Sequence, residues 1–244
     1  MKDYKAVVTE RFDLEKDISA SIYAANHPIG KYSREVLFSG LHRFLVEYAQ
    51  QNKNFSEIKL LDVGCGSGGM IEYFISKGFS PQNCFGIDLS STRISSAQQM
   101  LPNVNFIYGD ALNLNFPNVS FDLITSFDLY SHITKEHDIV KGLKNVNKSL
   151  ATNGIFLWYD IYSKDHYSAP KNSESWGFNK QQMIQLATDA GFELIAFNSF
   201  FKNFFGRYHS VYQAQRIPAP LLKVLEKVIP GTPGNIMLIL KKRT

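Results

Sequence analysis

Two cysteines in 244 residues, Cys65 and Cys84, are too few for a disulfide framework and stand at no metal-ligand spacing, so no metal site is expected. No apolar run approaches the roughly 20 residues that a membrane span requires. Met1 to Glu10 is mixed and polar, unlike a secretory leader. The expectation is a cytoplasmic chain with no membrane span. Internal repeats and low-complexity segments are absent, which excludes solenoids and fibrous folds. Acid is scarce after Phe200. From there Lys202, Arg207, Arg216, Lys223, Lys227, Lys241, Lys242 and Arg243 face one carboxylate, Glu226. That bias suits an acidic substrate, a membrane surface or RNA, and equally a solvated basic face. The net charge of the whole chain, +4, is too small to imply nucleic acid by itself.

What is present is the composition of a globular enzyme, with 44% hydrophobic and 20% charged residues. The length fits one large domain. The expected organisation is a single domain over 1–244, with a helical cap at 1–52, a core at 55–200, a lid-like insertion at 201–234 and a last strand at 235–244. From Tyr32 to Gln50, the residues Val36, Leu37, Leu41, Phe44, Leu45 and Tyr48 recur at helical spacing. His27-Pro28 and Gly30 separate this helix from a weaker earlier one.

After a polar break the pattern changes. Short apolar runs at Ile58–Val63, Cys84–Leu89, Val104–Tyr108, Phe121–Ser126 and Ile155–Ile161 predict five strands. Gly69–Lys77, Ser91–Met100 and His137–Leu150 predict helices between them. This alternation argues for a doubly wound, mostly parallel α/β sheet. Asn179–Ala190 is a further helix, with Asn179 as N-cap and Gly191 as its stop. Phe192–Phe200 and Asn235–Lys241 predict two closing strands, an antiparallel pair at the sheet edge. The segment between them holds four prolines and one amphipathic helix, Leu221–Ile229.

The sharpest feature is Asp62-Val63-Gly64-Cys65-Gly66-Ser67-Gly68-Gly69, where an apolar strand gives way to a helix. Glycines there let the backbone turn tightly and approach a ligand, and the helix behind them presents free N–H groups. The next strand ends at Asp88, beyond the carboxyl edge of the sheet, where ligands of such folds bind. An acid there is placed to accept both hydroxyls of a ribose. Gly64, Gly66 and Gly69 also satisfy the dinucleotide spacing, which keeps a nicotinamide-dependent oxidoreductase in view. Asp62, Asp88 and Asp110 at successive strand ends favour a cationic ligand carrying an adenosine over a diphosphate. Asp62 can reach an amino-acid amine, and Asp110 an adenine amine.

These motifs together resemble the class I S-adenosylmethionine-dependent methyltransferases. The resemblance runs from Leu60 to Ile161: the glycine loop is similar to the family's first motif, Asp88 to its ribose-binding acid, Gly109-Asp110-Ala111 to its adenine turn, and Phe121-Asp122-Leu123-Ile124 to the strand that closes the site. It implies a seven-stranded sheet in the order 3-2-1-4-5-7-6 with the last strand antiparallel. It also implies S-adenosylmethionine as cofactor, held by Asp62, Gly64, Cys65, Gly66, Gly68, Asp88, Leu89, Asp110, Ala111 and Ser126.

Methyl transfer needs alignment of a nucleophile and, for a hydroxyl or ammonium, removal of a proton. The stretch Ser126-Phe127-Asp128-Leu129-Tyr130-Ser131-His132-Ile133 follows the fourth strand, and its Asp-to-His spacing is similar to a turn of small-molecule methyltransferases. His132 is the candidate base, and Asp160, near the end of the fifth strand, a second. Each has an ordinary structural reading too, as a packed histidine and a turn carboxylate. Tyr32 and Arg34 are placed to close over the amino-acid end of the cofactor. The aromatic residues of Phe197–Tyr212 suit a lid over an apolar acceptor. The expected activity is methyl transfer to an oxygen or nitrogen of a small molecule. The alternatives are methylation of RNA or protein, and a non-catalytic cofactor-binding protein.

Overall fold

In the computed structural model, residues 28–51, 54–116, 119–133, 135–164, 177–203, 219–228 and 230–243 are described. Seven strands form one sheet: β1 Leu60–Val63, β2 Cys84–Asp88, β3 Asn105–Tyr108, β4 Phe121–Phe127, β5 Leu150–Ile161, β6 Phe192–Asn203 and β7 Thr232–Lys242. Their spatial order is β3-β2-β1-β4-β5-β7-β6. β1 to β5 run parallel, and β7 is antiparallel to both β5 and β6. The expected order and the reversed last strand are therefore present.

Continuous apolar runs form the central strands because both sheet faces are covered. On one face Leu61, Ile124, Phe156 and Trp158 meet α4 (Glu136–Ser149) through Ile139, Leu143 and Val146. They also meet α5 (Lys180–Asp189) through Met183 and Leu186. On the other, Leu60, Leu123, Leu157 and Tyr159 meet α1 (Pro28–Gln51), α2 (Gly69–Ile75) and α3 (Ser91–Met100). Trp158, Phe74, Phe121, Phe156 and Phe192 are each fully buried, and each such side chain is worth about 1.5–3 kcal/mol over exposure. Helix boundaries follow local chemistry. Asn179 Oδ1 accepts from Gln182 N at 2.8 Å and starts α5, and Gly191, at φ +86°, ends it.

Several boundaries differ from expectation. α1 begins at Pro28 and runs through Gly30, because a proline in the first turn forfeits no intrahelical bond. β5 begins at Leu150, which pairs with Phe121 ahead of a register shift, so α4 ends at Ser149. β6 and β7 stay paired as far as Asn203 and Thr232, so the insertion between them is shorter than 201–234. Pro233 is tolerated there because pairing with β5 begins only at Asn235. Within the insertion, α6 spans Ala219–Val228. The predicted earlier helix, His166, His209 and the aromatics Phe204, Phe205, Tyr208 and Tyr212 lie outside the described residues. Among the described residues no helix is long and apolar enough to cross a membrane.

Candidate functional site

The site is built at the carboxyl ends of β1, β2, β4 and β5. Gly64, Gly66 and Gly68 all carry positive φ, +78°, +52° and +87°. This left-handed geometry folds the loop back so that Gly64 N and Cys65 N both donate to Ile87 O, at 2.8 and 3.1 Å. Gly66 N donates to Asp88 Oδ2 and Ser90 N to Asp88 Oδ1, each at 2.9 Å. One carboxylate thus fastens the glycine loop to the start of α3, and it remains half-exposed toward the strand ends. Its further lone pairs can accept two vicinal hydroxyls.

Asp62 lies below the loop, 2% exposed. Thr125 Oγ1 donates to its Oδ1 at 2.7 Å. Burial pushes its carboxyl up to about 7, the Thr125 bond opposes this, and the nearby Asp88 charge adds to it. A buried carboxyl that is costly to ionise alone is suited to a cationic partner. Asp110 caps the short turn Ala111–Asn113, accepting from Leu112 N and Asn113 Nδ2 at 2.9 Å each. Cys65 and Ala111 are buried and Leu89 half-buried. Burial holds the Cys65 thiol far above its ordinary range, so it packs as an apolar group. The buried Ser126 Oγ has no hydrogen-bond partner, a polar atom left for a ligand.

β4 leaves the sheet through Asp128, the one described non-glycine residue with positive φ, +51°. Asp128 N donates to Tyr159 O, and Asn235 Nδ2 donates to Asp128 Oδ1 at 2.8 Å. The chain then forms a single turn, Tyr130–His132, with His132 half-buried at its end. Asp160 supports this turn from behind. Its carboxylate accepts from Ser131 N and Trp158 Nε1 at 3.2 Å and from Ile161 N at 3.0 Å. The expectation of a pocket-facing carboxylate is corrected here: Asp160 is fully buried beside Trp158, because alternation along β5 turns it into the α4–α5 side of the core. Burial raises its pKa against these bonds.

Tyr32 departs from expectation as well. Its hydroxyl donates to Glu226 of α6, and with Lys223–Glu35 at 3.0 Å this joins α1 to α6. Facing the same end of the sheet, Phe127, Tyr159 and Phe200 stand in a row with ring centroids 5.7 and 5.3 Å apart. Gly40 of α1 lies over Phe200, where a Cβ would come within 2.5 Å of the ring. Sequence reasoning missed this wall and the Asp128–Asn235 bond, since their members are far apart in the chain. Among the described residues no group of His, Cys, Asp and Glu is arranged to hold a metal.

Comparison with known proteins agrees with this geometry. Residues 60–154, which carry the glycine loop, Asp88, Asp110 and β4, match the family model of a methyltransferase domain. A fatty-acid O-methyltransferase of Mycolicibacterium smegmatis is 31% identical over 46% of this chain and 40% of its own length. A ubiquinone/menaquinone biosynthesis C-methyltransferase of Campylobacter jejuni is 25% identical over 59% of this chain and 74% of its own. The chain spans less than half the length of the first curated relatives it matches. The crystal structure of a magnesium protoporphyrin IX methyltransferase from Synechocystis, with bound S-adenosylmethionine, superposes with a TM-score of 0.68 at 14% identity, over 99% of both chains.

Proposed function

We propose that this chain, a class I S-adenosylmethionine-dependent methyltransferase by its family match and its sheet, methylates an oxygen or nitrogen of an apolar small molecule. The observation that carries the reading is the single unit made by the glycine loop and Asp88, with Asp62 buried beneath it. That unit fits the cofactor: the left-handed loop of Gly64, Gly66 and Gly68 leaves room beside the backbone at Gly66, Asp88 would hold the ribose and Asp110 the adenine. Asp62 would face the amino-acid amine, and Ser126 Oγ supplies an unused polar atom. When bound, the cofactor supplies a methyl group activated on a sulfonium.

The chain's own part is alignment and proton transfer. The glycine loop and the β4 turn both lie at the carboxyl ends of the strands, where they would hold an acceptor beside the cofactor's methyl group. His132 takes the proton from the acceptor as the new bond forms. Asp160, Asp128 and Asn235 hold the turn that presents it. Phe127, half-buried at the edge of the buried Tyr159–Phe200 stack, would give the acceptor an apolar surface. A fatty acid, the acceptor named for one relative, is of compatible character.

The basic residues Lys241, Lys242 and Arg243 favour no nucleic-acid reading. Lys241 pairs with Ile155, at the far end of β5 from Ile161, which pairs with Asn235 beside the site. Six residues of strand separate the two ends, roughly 20 Å.

The test has two steps. S-adenosylmethionine and S-adenosylhomocysteine should each raise the melting temperature, and NAD should not. Labelled methyl should then pass to apolar hydroxyl or amine compounds in a mixed metabolite screen. Stabilisation by NAD alone, or labelling of RNA and no small molecule, overturns the reading.

A further inference from the structure

We propose that α6 docks this chain on an anionic lipid surface. The helix is amphipathic, and part of its apolar stripe is left uncovered. Two polar contacts tie it to α1: Glu226 accepts from Tyr32, and the exposed Lys223 pairs with Glu35. Its apolar face meets solvent, with Leu221, Val224 and Val228 exposed by 48%, 55% and 69%. At about 100° per residue these three side chains fall within an arc of about 60°, roughly opposite Glu226. An amphipathic helix ordinarily buries that stripe, and a contiguous apolar patch left in water marks an interaction site.

Charge selects the occupant. Both carboxylates of the patch are engaged between α1 and α6, Glu226 with Tyr32 and Glu35 with Lys223. Lys227 is exposed beside Val224 and Val228, and Lys31 is exposed one residue before Tyr32. Aliphatic side chains edged by lysines are the make-up of a helix lying in a bilayer interface, where each cation is drawn to anionic headgroups. The placement also fits the fold. α6 leads into β7, whose Asn235 lies opposite Ile161 at the site end of the sheet. Docking would therefore turn that end toward the bilayer, whichever acceptor it serves.

The experiment is co-sedimentation of the full chain with vesicles and requires no turnover, so it can fail independently of the methyltransferase reading. The chain should pellet with phosphatidylserine-rich vesicles, much less with phosphatidylcholine alone, and less as salt rises. The combined substitution Leu221→Asp, Val224→Asp and Val228→Asp should abolish pelleting while circular dichroism and melting temperature stay unchanged. Lys227→Gln, which leaves the stripe intact, should weaken partition about fivefold at low salt and decides the matter if the triple variant does not fold. A chain that stays in the supernatant overturns the proposal. So does pelleting that survives the triple variant, or a dimer that the triple variant converts to monomer without any vesicle binding.

Discussion

Asn235 and Asp128 lie 107 residues apart in sequence, yet the amide of one donates to the carboxylate of the other at 2.8 Å. The bond ties the start of β7 to the left-handed corner where β4 leaves the sheet. Asn235→Ala should cost about 1 kcal/mol, the net worth of one part-buried hydrogen bond. Turnover should fall while cofactor affinity holds, because the corner carries the His132 turn and the glycine loop is untouched. Equal losses in both would show that the corner shapes the cofactor pocket instead.

The glycine loop makes a graded prediction. A Cβ at Gly66 meets nothing nearer than Arg93, at 3.7 Å, so Gly66→Ala suffers from its positive φ alone, roughly 1–2 kcal/mol. A Cβ at Gly64 would also sit 3.0 Å from Leu129 Cδ1. Gly64→Ala should therefore destabilise more than Gly66→Ala, and Gly66→Asn least, since asparagine tolerates the left-handed region. Chemical denaturation of the three variants checks the order.

Asp88→Ala should remove the melting-temperature rise given by S-adenosylhomocysteine. It should also destabilise the unliganded chain, because Gly66 N–H and Ser90 N–H both lose their acceptor. An Asp88→Ala chain that still responds to the ligand would remove the ribose role.

Asp62 titrates near 7 in the fold against an ordinary 3.8. The folded state therefore keeps a proton that the unfolded chain gives up. Its contribution to stability is fully present below about pH 4 and is lost as pH rises to about 7. Asp62→Asn should flatten that decline in unliganded protein. Cofactor affinity should move the other way, rising with pH toward 7 as the carboxylate forms to meet the ligand's amine. An affinity that ignores pH across this window would remove Asp62 from the amine's surroundings.

His132→Ala should lower turnover by roughly 10²-fold or more with cofactor affinity nearly unchanged. With an oxygen acceptor, activity of the native chain should rise with pH, since only the neutral imidazole can take the proton. Asp160→Asn keeps the shape of the turn's support and alters its charge. It should reduce turnover less than His132→Ala and retain the same pH profile. If His132→Ala leaves turnover and the pH profile unchanged, His132 is not the base.

Most of the scaffold was legible along the chain. Continuous apolar runs announced strands buried on both faces, the glycines and Asp88 announced the loop at their ends, and Asn179 and Gly191 bounded a helix. These are local signals, carried by residues that touch within a turn or a strand length. The order of the sheet came from a resemblance, and the structure carries it. What local pattern did not reach was contact between distant residues. Asp160 stands at a strand end in sequence, but the side to which it turns depends on what packs against β5. Tyr32 precedes the core, and only the packing of α1 on α6 directs its hydroxyl to Glu226. The apolar stripe of α6 was visible as a period, but its exposure was not. Periodicity determines which residues share a face, and the tertiary structure alone decides what that face meets, because burial is a property of the neighbour as much as of the helix.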